Sequence, residues 1–343
     1  MSAAAAFPAC PNVQESLELA FKANHLKLEQ TPFVDFLLSD VNAGDLQRMQ
    51  APGLAKRKTV ELTYQQRIAE SDVSSTIDFT CTGGDEYGIC TESYSIDPDV
   101  GSYVKRSVDP ADIATICEDG EMYWAKLIAS MMDACARQLE TRAITVAQLL
   151  IGNYASNDTN GVVGTTKTVA FVDGSGDFSL DAYKELIFSA KQMGFTSAPI
   201  VFGSNETTKY FTEVAHGCCA TTGIDLGSFV NANEMVYFDT LGRVDTNWAA
   251  NNFFMMEAGA MQIIWYLRFQ GYEPLNISST TTNSRSVLVD PRRNMPFDVR
   301  VTENCGTLTV EVAMANDIVG LPSDMYPTGD RLDGVTLVNK FTT

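Results

Sequence analysis

Apolar and polar positions along this chain follow two different periods, and the changes of period mark out its elements. Over residues 12–25, Val13, Leu17, Leu19, Ala20 and Phe21 fall at helical spacing. After Pro32 comes a second apolar cluster of Phe33, Val34, Phe36, Leu37 and Leu38, followed by the polar stretch AGDLQRMQAPGLAKRK. With few apolar residues of its own, the segment 1–58 is expected to act as an arm that packs on something else, such as a neighbouring subunit. From residue 59 the period drops to two: Val60, Leu62 and Tyr64 alternate with Glu61 and Thr63, and Ile77 and Phe79 with Asp78 and Thr80. A third run holds Ile89, Tyr94 and Ile96, and Gly83-Gly84 marks a turn between the second and third runs. The expectation is an extended hairpin with a polar tip and little core, which is marginal in water without a partner.

The period then returns to 3.6. Residues 109–151 predict one long helix, with Asp109 as cap, Pro110 at its first position and a break allowed near Gly120. Trp124, Leu127, Ile128, Met131, Met132, Cys135 and Leu139 form its apolar stripe. A Gly/Asn/Thr-rich loop at 152–167 leads into an α/β stretch. There Ser179 caps a helix running to Met193, with Gly194 as its stop. Ala198–Phe202 predicts a strand, Asn205–Ala215 a helix and Val236–Asp239 a strand, while FFMMEAGAMQIIWYL (253–267) reads as buried core. Phe297, Val299 and Val301, then Leu308, Val310 and Val312, alternate on either side of Asn304-Cys305-Gly306 and predict a β-hairpin. A polar tail is expected from Gly320 onward, and no internal repeat is visible.

Composition narrows the function. A chain of 343 residues with 45% hydrophobic and 20% charged residues has ample apolar surface for a large core. The net charge of −19 repels phosphate and anionic lipid, which disfavours nucleic-acid binding as a main task while suiting the lining of a container. Eight cysteines in so apolar a chain are expected to be reduced thiols, because the start MSAAAAFPAC has neither the basic region nor the apolar stretch of a secretory signal. The apolar run at 253–267 is interrupted by Glu257 and falls short of the ~20 residues that a membrane-spanning helix needs.

Candidate chemistry fails on its particulars. GVVGTTKT (161–168) places Thr166 where a phosphate-binding loop requires glycine before its lysine. DGSGD (173–177) is followed by Phe178 where a calcium loop turns on glycine, and Lys184 stands at the closing glutamate position. His216, Cys218 and Cys219 lack a second pair of zinc ligands, and Gly203-Ser204 lacks the nucleophile-elbow pattern. No catalytic, cofactor or metal site is therefore assigned.

The order of elements carries a resemblance. Arm, extended β-hairpin, long amphipathic helix, central α/β region and terminal β-rich segment together resemble the α+β HK-ninety-seven-type shell fold of tailed-phage major capsid proteins and encapsulins. The tail MYPTGDRLDGVTLVNKF is similar to the close of some phage capsid sequences. The resemblance implies an N-terminal arm (1–58), an extended β-hairpin loop (59–104) and a peripheral domain with a spine helix (105–167). An axial α/β domain (168–265) and a β-rich return to the peripheral domain with a C-terminal tail (266–343) would follow. It implies a non-enzymatic shell protein, made in the host bacterial cytoplasm, that forms hexamers and pentamers of an icosahedral head. Such a head encloses double-stranded DNA without sequence-specific binding or membrane, alongside portal, scaffolding and decoration proteins. No long charged helical segment precedes the arm, which the resemblance explains by a separate scaffolding protein or by numbering that starts after cleavage, and Met1 favours the former. Expected inter-subunit contacts are the hairpin tip Gly83, Gly84, Asp85, Glu86 and Tyr87, the arm aromatics Phe33 and Phe36, and the cations Lys105, Arg106, Arg292 and Arg293. The alternatives are an encapsulin-like compartment around a cargo protein, a tail or decoration protein, and a cytosolic enzyme.

Overall fold

The computed structural model of the chain describes residues 12–22, 30–39, 59–65, 68, 73, 89–109, 120–150, 167–170, 180–192, 195, 199–203, 236–239, 252–269, 275, 277, 283–304, 307–320 and 338–342. Two short helices lead, α1 (Val13–Lys22) and α2 (Pro32–Leu37). Asn12 starts α1 by accepting the Glu15 amide on its side-chain oxygen, and its side-chain nitrogen donates to the Glu15 carboxylate at 2.9 Å. Pro32 opens α2 with its φ already set for a helix.

A two-stranded ladder follows. Strand β1 (Thr59–Gln65) pairs antiparallel with β2 (Ile89–Ser95), from Thr59↔Ser95 to Gln65↔Ile89. The first and third alternating runs are thus the ones joined, while the second run and the tip at 83–87 lie outside the described residues. The base of this hairpin is anchored: Val60 and Ile96 pack with Ile264, Ala315 and Val319, and the Tyr94 hydroxyl donates to the Gly320 carbonyl at 3.2 Å.

Strand β3 (Gly101–Val108) and the long helix α3 (Gly120–Leu150) come next. On α3, Trp124, Ile128, Met132, Cys135, Leu139, Ile144 and Ala147 are buried, which is the stripe expected from the sequence, widened by small alanines that let other elements approach. Then follow β4 (Lys167–Thr168), α4 (Leu180–Gln192), β5 (Ile200–Gly203), β6 (Val236–Asp239), β7 (Asn252–Met256), β8 (Met261–Tyr266), β9 (Asn283–Asp290), β10 (Met295–Asn304), β11 (Thr307–Gly320) and β12 (Val338–Thr342).

The strands form two larger sheets. The first runs β3-β11-β10-β9, with β8 added to β11, and the second runs β4-β12-β7-β5-β6. The expected hairpin at 297–312 is the centre of the first sheet, closing at Asn304↔Thr307. Ala315 pairs with Gly101 of β3 and with Tyr266 of β8, so those strands lie on opposite edges of β11, and β8 shares its edge with β10. Where β8 ends and β10 takes over that edge, the Asp298 carboxylate fills the gap. It accepts the amides of Arg268 at 2.8 Å and Phe269 at 3.0 Å.

Three points refine or change the expectations. The apolar run 253–267 is buried, as expected, and is made of two strands in different sheets: β7 belongs to the second, β8 to the first, and the turn between them puts Gly259 at φ 85° with Ala260 donating to the Glu257 carbonyl. Residues 338–342 are a strand within the expected polar tail, antiparallel to β7 and held by Phe341, which is fully buried and stacked on Phe253 at 5.4 Å. The arm is the third point. Phe33 meets Phe202 at 4.6 Å and Phe254 at 5.4 Å, and Phe36 meets Phe202 at 5.3 Å, so α2 plugs the space between α3 and the second sheet of its own chain. A few large apolar side chains suffice, each contributing roughly 1.5–3 kcal/mol when fully buried.

Candidate assembly surfaces

The arm is also held by polar groups brought together from distant parts of the sequence. Glu140 on α3 is fully buried, and its two carboxylate oxygens accept the amides of Phe33 at 3.0 Å and Val34 at 2.7 Å. These are orphan donors of the first turn of α2, where a negative charge is also favoured by the helix dipole. About two turns earlier on α3, Asp133 accepts from Arg292 and Arg293, each at 3.0 Å, and from Arg137 at 3.2 Å. Arg293 is enclosed completely: Nε donates to Thr31 at 2.7 Å, Nη1 to Asp290 at 2.8 Å and Nη2 to Asp133, with Asp35 at 3.4 Å. The turn that carries both arginines bends through Asn294 at φ 53°, a left-handed conformation that asparagine tolerates. Burial pushes the Asp290 and Asp35 carboxyls up, against the pull of Arg293 in the opposite direction. Gln14 completes the attachment by mimicking a strand: its side-chain amide donates to and accepts from the backbone of Val289.

The other face of the first sheet looks outward. Val104, Val312, Val299 and Leu288 face α3 or lie at that level, while Lys105, Glu311, Arg300 and Arg285 form one row across β3, β11, β10 and β9 on the opposite face. Glu311 is the row's single carboxylate, in contact with Lys105 at 3.4 Å, Arg300 at 3.1 Å and the Tyr103 hydroxyl at 3.0 Å. Beside the row a cleft of about 300 Å³ is lined by Tyr103, Arg268, Phe269, Asp298, Arg300 and Glu311, among others. Arg268 closes its rim by donating to the Pro98 carbonyl and to Asp99. Burial raises the Asp298 carboxyl, opposed by the two amides it accepts.

The residues expected at subunit contacts therefore scatter. Phe33 and Phe36 are buried in the chain's own core, Arg293 is fully enclosed, and Arg292 bonds Asp133, because acids on α3 and β9 meet them there. Phe33, Phe36 and Arg293 are thus buried within the chain, while Arg292 stays exposed beside Asp133. Lys105 and Arg106 are exposed on β3, and Lys105 faces Glu311 of the same chain. Gly83, Gly84, Asp85, Glu86 and Tyr87 lie outside the described residues, as do 173–177, His216, Cys218 and Cys219. Among the described residues there is no group of three His, Cys, Asp or Glu side chains able to hold a metal, and no helix long and apolar enough to cross a membrane. Sequence reasoning missed Glu140, Asp133 and Asp290. Their one sequence signal was a carboxylate set at helical or strand spacing among buried apolar positions.

No family model matches the chain, and no curated protein does. Solved structures do. A chain of the cyanophage A-1(L) capsid asymmetric unit overlays with a TM-score of 0.52 at 14% identity, covering 93% of this chain and 94% of that one. A Mycobacterium phage Adephagia structure overlays at 0.48 and 12% identity (93% and 92% covered), and a virus-like particle from Pyrococcus furiosus at 0.38 and 8% identity (92% and 98% covered). With this element order, mixed helix-and-sheet architecture and end-to-end overlay on a phage capsid chain, the protein has the HK-ninety-seven-type shell fold.

Proposed function

We propose that this chain is the major capsid protein of a tailed bacteriophage, a structural subunit that self-assembles through pentamers and hexamers into an icosahedral head around double-stranded DNA. The observation that carries this reading is the overlay on a cyanophage capsid chain over nearly the full length of both. The first sheet with α3 then plays the peripheral domain and spine, the second sheet the axial domain, and the β1–β2 ladder the base of the extended loop. The tip Gly83–Tyr87 and the exposed cations Lys105 and Arg106 remain the contacts we assign to neighbouring subunits. The net charge of −19 suits a wall that must not adhere to packaged DNA. Portal, scaffolding and decoration proteins are the partners this role calls for, and the host cytoplasm is its place of synthesis.

Sedimentation velocity of the purified protein across concentration and salt tests the reading. Rings of five or six subunits, or faster closed particles, are expected. A single monomeric boundary under every condition, with or without co-expressed phage scaffold, contradicts it.

A further inference from the structure

Arg285 is the odd residue of the outward row. Its Nε is buried, and among the described residues the guanidinium has no hydrogen bond and no carboxylate. Its guanidinium carbon lies 5.7 Å from the centroid of the Phe269 ring. A buried donor left without an acceptor is costly, and such groups are rare in folded chains. Directly opposite it on β10 stands Arg300, a like charge in register, which destabilises an isolated ladder. Arg300 has Glu311 within ion-pair distance, yet its own Nε is also buried and not aligned for a hydrogen bond. Lys105 and Arg300 thus share the row's one carboxylate, which also accepts the Tyr103 hydroxyl, and Arg285 is left without one.

Two neighbouring guanidinium groups, each with a buried Nε that makes no hydrogen bond and with one carboxylate between them, stand beside a cleft walled by Phe269 and Tyr103 and are suited to grip a second carboxylate. The chain carries 43 acidic against 24 basic residues, so the surface of another copy is rich in the group that is missing here. We infer that the outward face of the first sheet is the seat of a carboxylate-bearing segment of a second copy of this chain, gripped by Arg285 and Arg300. This rests on the shell reading above and names the chemistry of one of its contacts. The like-charged pair is then a contact half-built in the subunit and completed on assembly. It follows that Arg285 works against the isolated subunit and for the assembly.

Two measurements on the full-length protein test this. First, Arg285→Met keeps an unbranched, flexible apolar stem and removes the guanidinium and its charge. Its isolated subunit is expected to melt at or above the wild-type temperature, while the concentration needed for association rises at least about tenfold. A lowered melting temperature with unchanged association assigns Arg285 a role inside the subunit and overturns the inference. Second, Tyr103→p-benzoylphenylalanine places a photo-cross-linker at the rim of the cleft. Cross-linked peptides containing Asp or Glu from a second copy are expected. A cross-link to nucleic acid or to another protein only, or none between copies, overturns the inference. Wild-type association that Arg285→Met leaves unaltered removes this contact but not the shell. Discrete dimers with the Arg285 effect and no larger species retain the contact and remove the shell. A wild-type chain that never associates removes both.

Discussion

At the scale of single residues, Glu140, Cys135 and Asp298 are buried groups whose placement can be tested one at a time. Replacing Glu140 by Ala leaves the Phe33 and Val34 amides buried without their acceptor, at ~1–3 kcal/mol for each unsatisfied donor. A fall in the urea midpoint equivalent to ~2 kcal/mol or more is expected, and Glu140→Gln, which keeps an acceptor, should recover part of it. A change below ~0.5 kcal/mol would remove the clasp from the account. Burial pushes the Cys135 thiol up to about 12, so the reactive thiolate is scarce at neutral pH. Alkylation followed peptide by peptide should find Cys135 unmodified until the chain unfolds, and rapid native labelling would contradict its placement. Asp298 supplies a pH signature. Because burial raises its carboxyl above the ordinary value near 3.8, the folded chain takes up this proton before the unfolded chain does. Its contribution therefore grows as the pH falls through the folded value and is complete below the unfolded one. The stability gap between wild type and Asp298→Asn should widen from pH 7 toward pH 4, and a gap that narrows would mean that the carboxyl is held down instead. None of these acids announced itself in the sequence. A buried carboxylate and a solvated one share the same letter, and the groups that cover Glu140 and Asp133 lie about a hundred or more residues away.

At the scale of elements, legibility followed periodicity. The hairpin at 297–312 was readable because one face is buried and the other is not, so the letters alternate. The stripe on α3 was readable for the same reason at a period of 3.6. The run 253–267 was opaque because β7 is buried on both faces and β8 nearly so, and a strand buried on both faces has no alternation to read. The arm was misjudged by quantity: Phe33 and Phe36 looked too few to form a core, yet Phe202 and Phe254 complete the cluster from the second sheet. The close approach of β3 to β11 gives this scale its own test. A Cβ on Gly101 would stand 2.2 Å from the Met314 carbonyl oxygen, and rigid backbone cannot yield as a side chain can. Gly101→Ala should cost roughly 1–3 kcal/mol or more. Gly320→Ala should cost less, because the atoms it meets are the flexible end of Leu150. Equal stability of the two variants would show that β3 is not seated where the register puts it.

At the scale of the whole molecule, the two described arm helices pack on the chain's own core, while the outward row of the first sheet holds three cations and one carboxylate. The arm helices, α3 and both sheets share one apolar core, so the apolar faces of α1 and α2 are buried within the chain. Among the described residues, the outward row on the first sheet is the surface we assign to a neighbour. The global order of elements was legible because it needs only the sequence of periods, and that order led to the shell fold before any coordinates did. The surfaces were not legible, since contact between copies depends on which side chains the fold has already used. The most direct test of the central claim is electron microscopy of the purified full-length protein, expressed alone and with a phage scaffold. Closed icosahedral shells, or pentameric and hexameric rings, are the expected result. Fields of uniform single subunits, or open tubes, in every preparation would contradict the assignment as a capsid protein and leave the fold in search of another role.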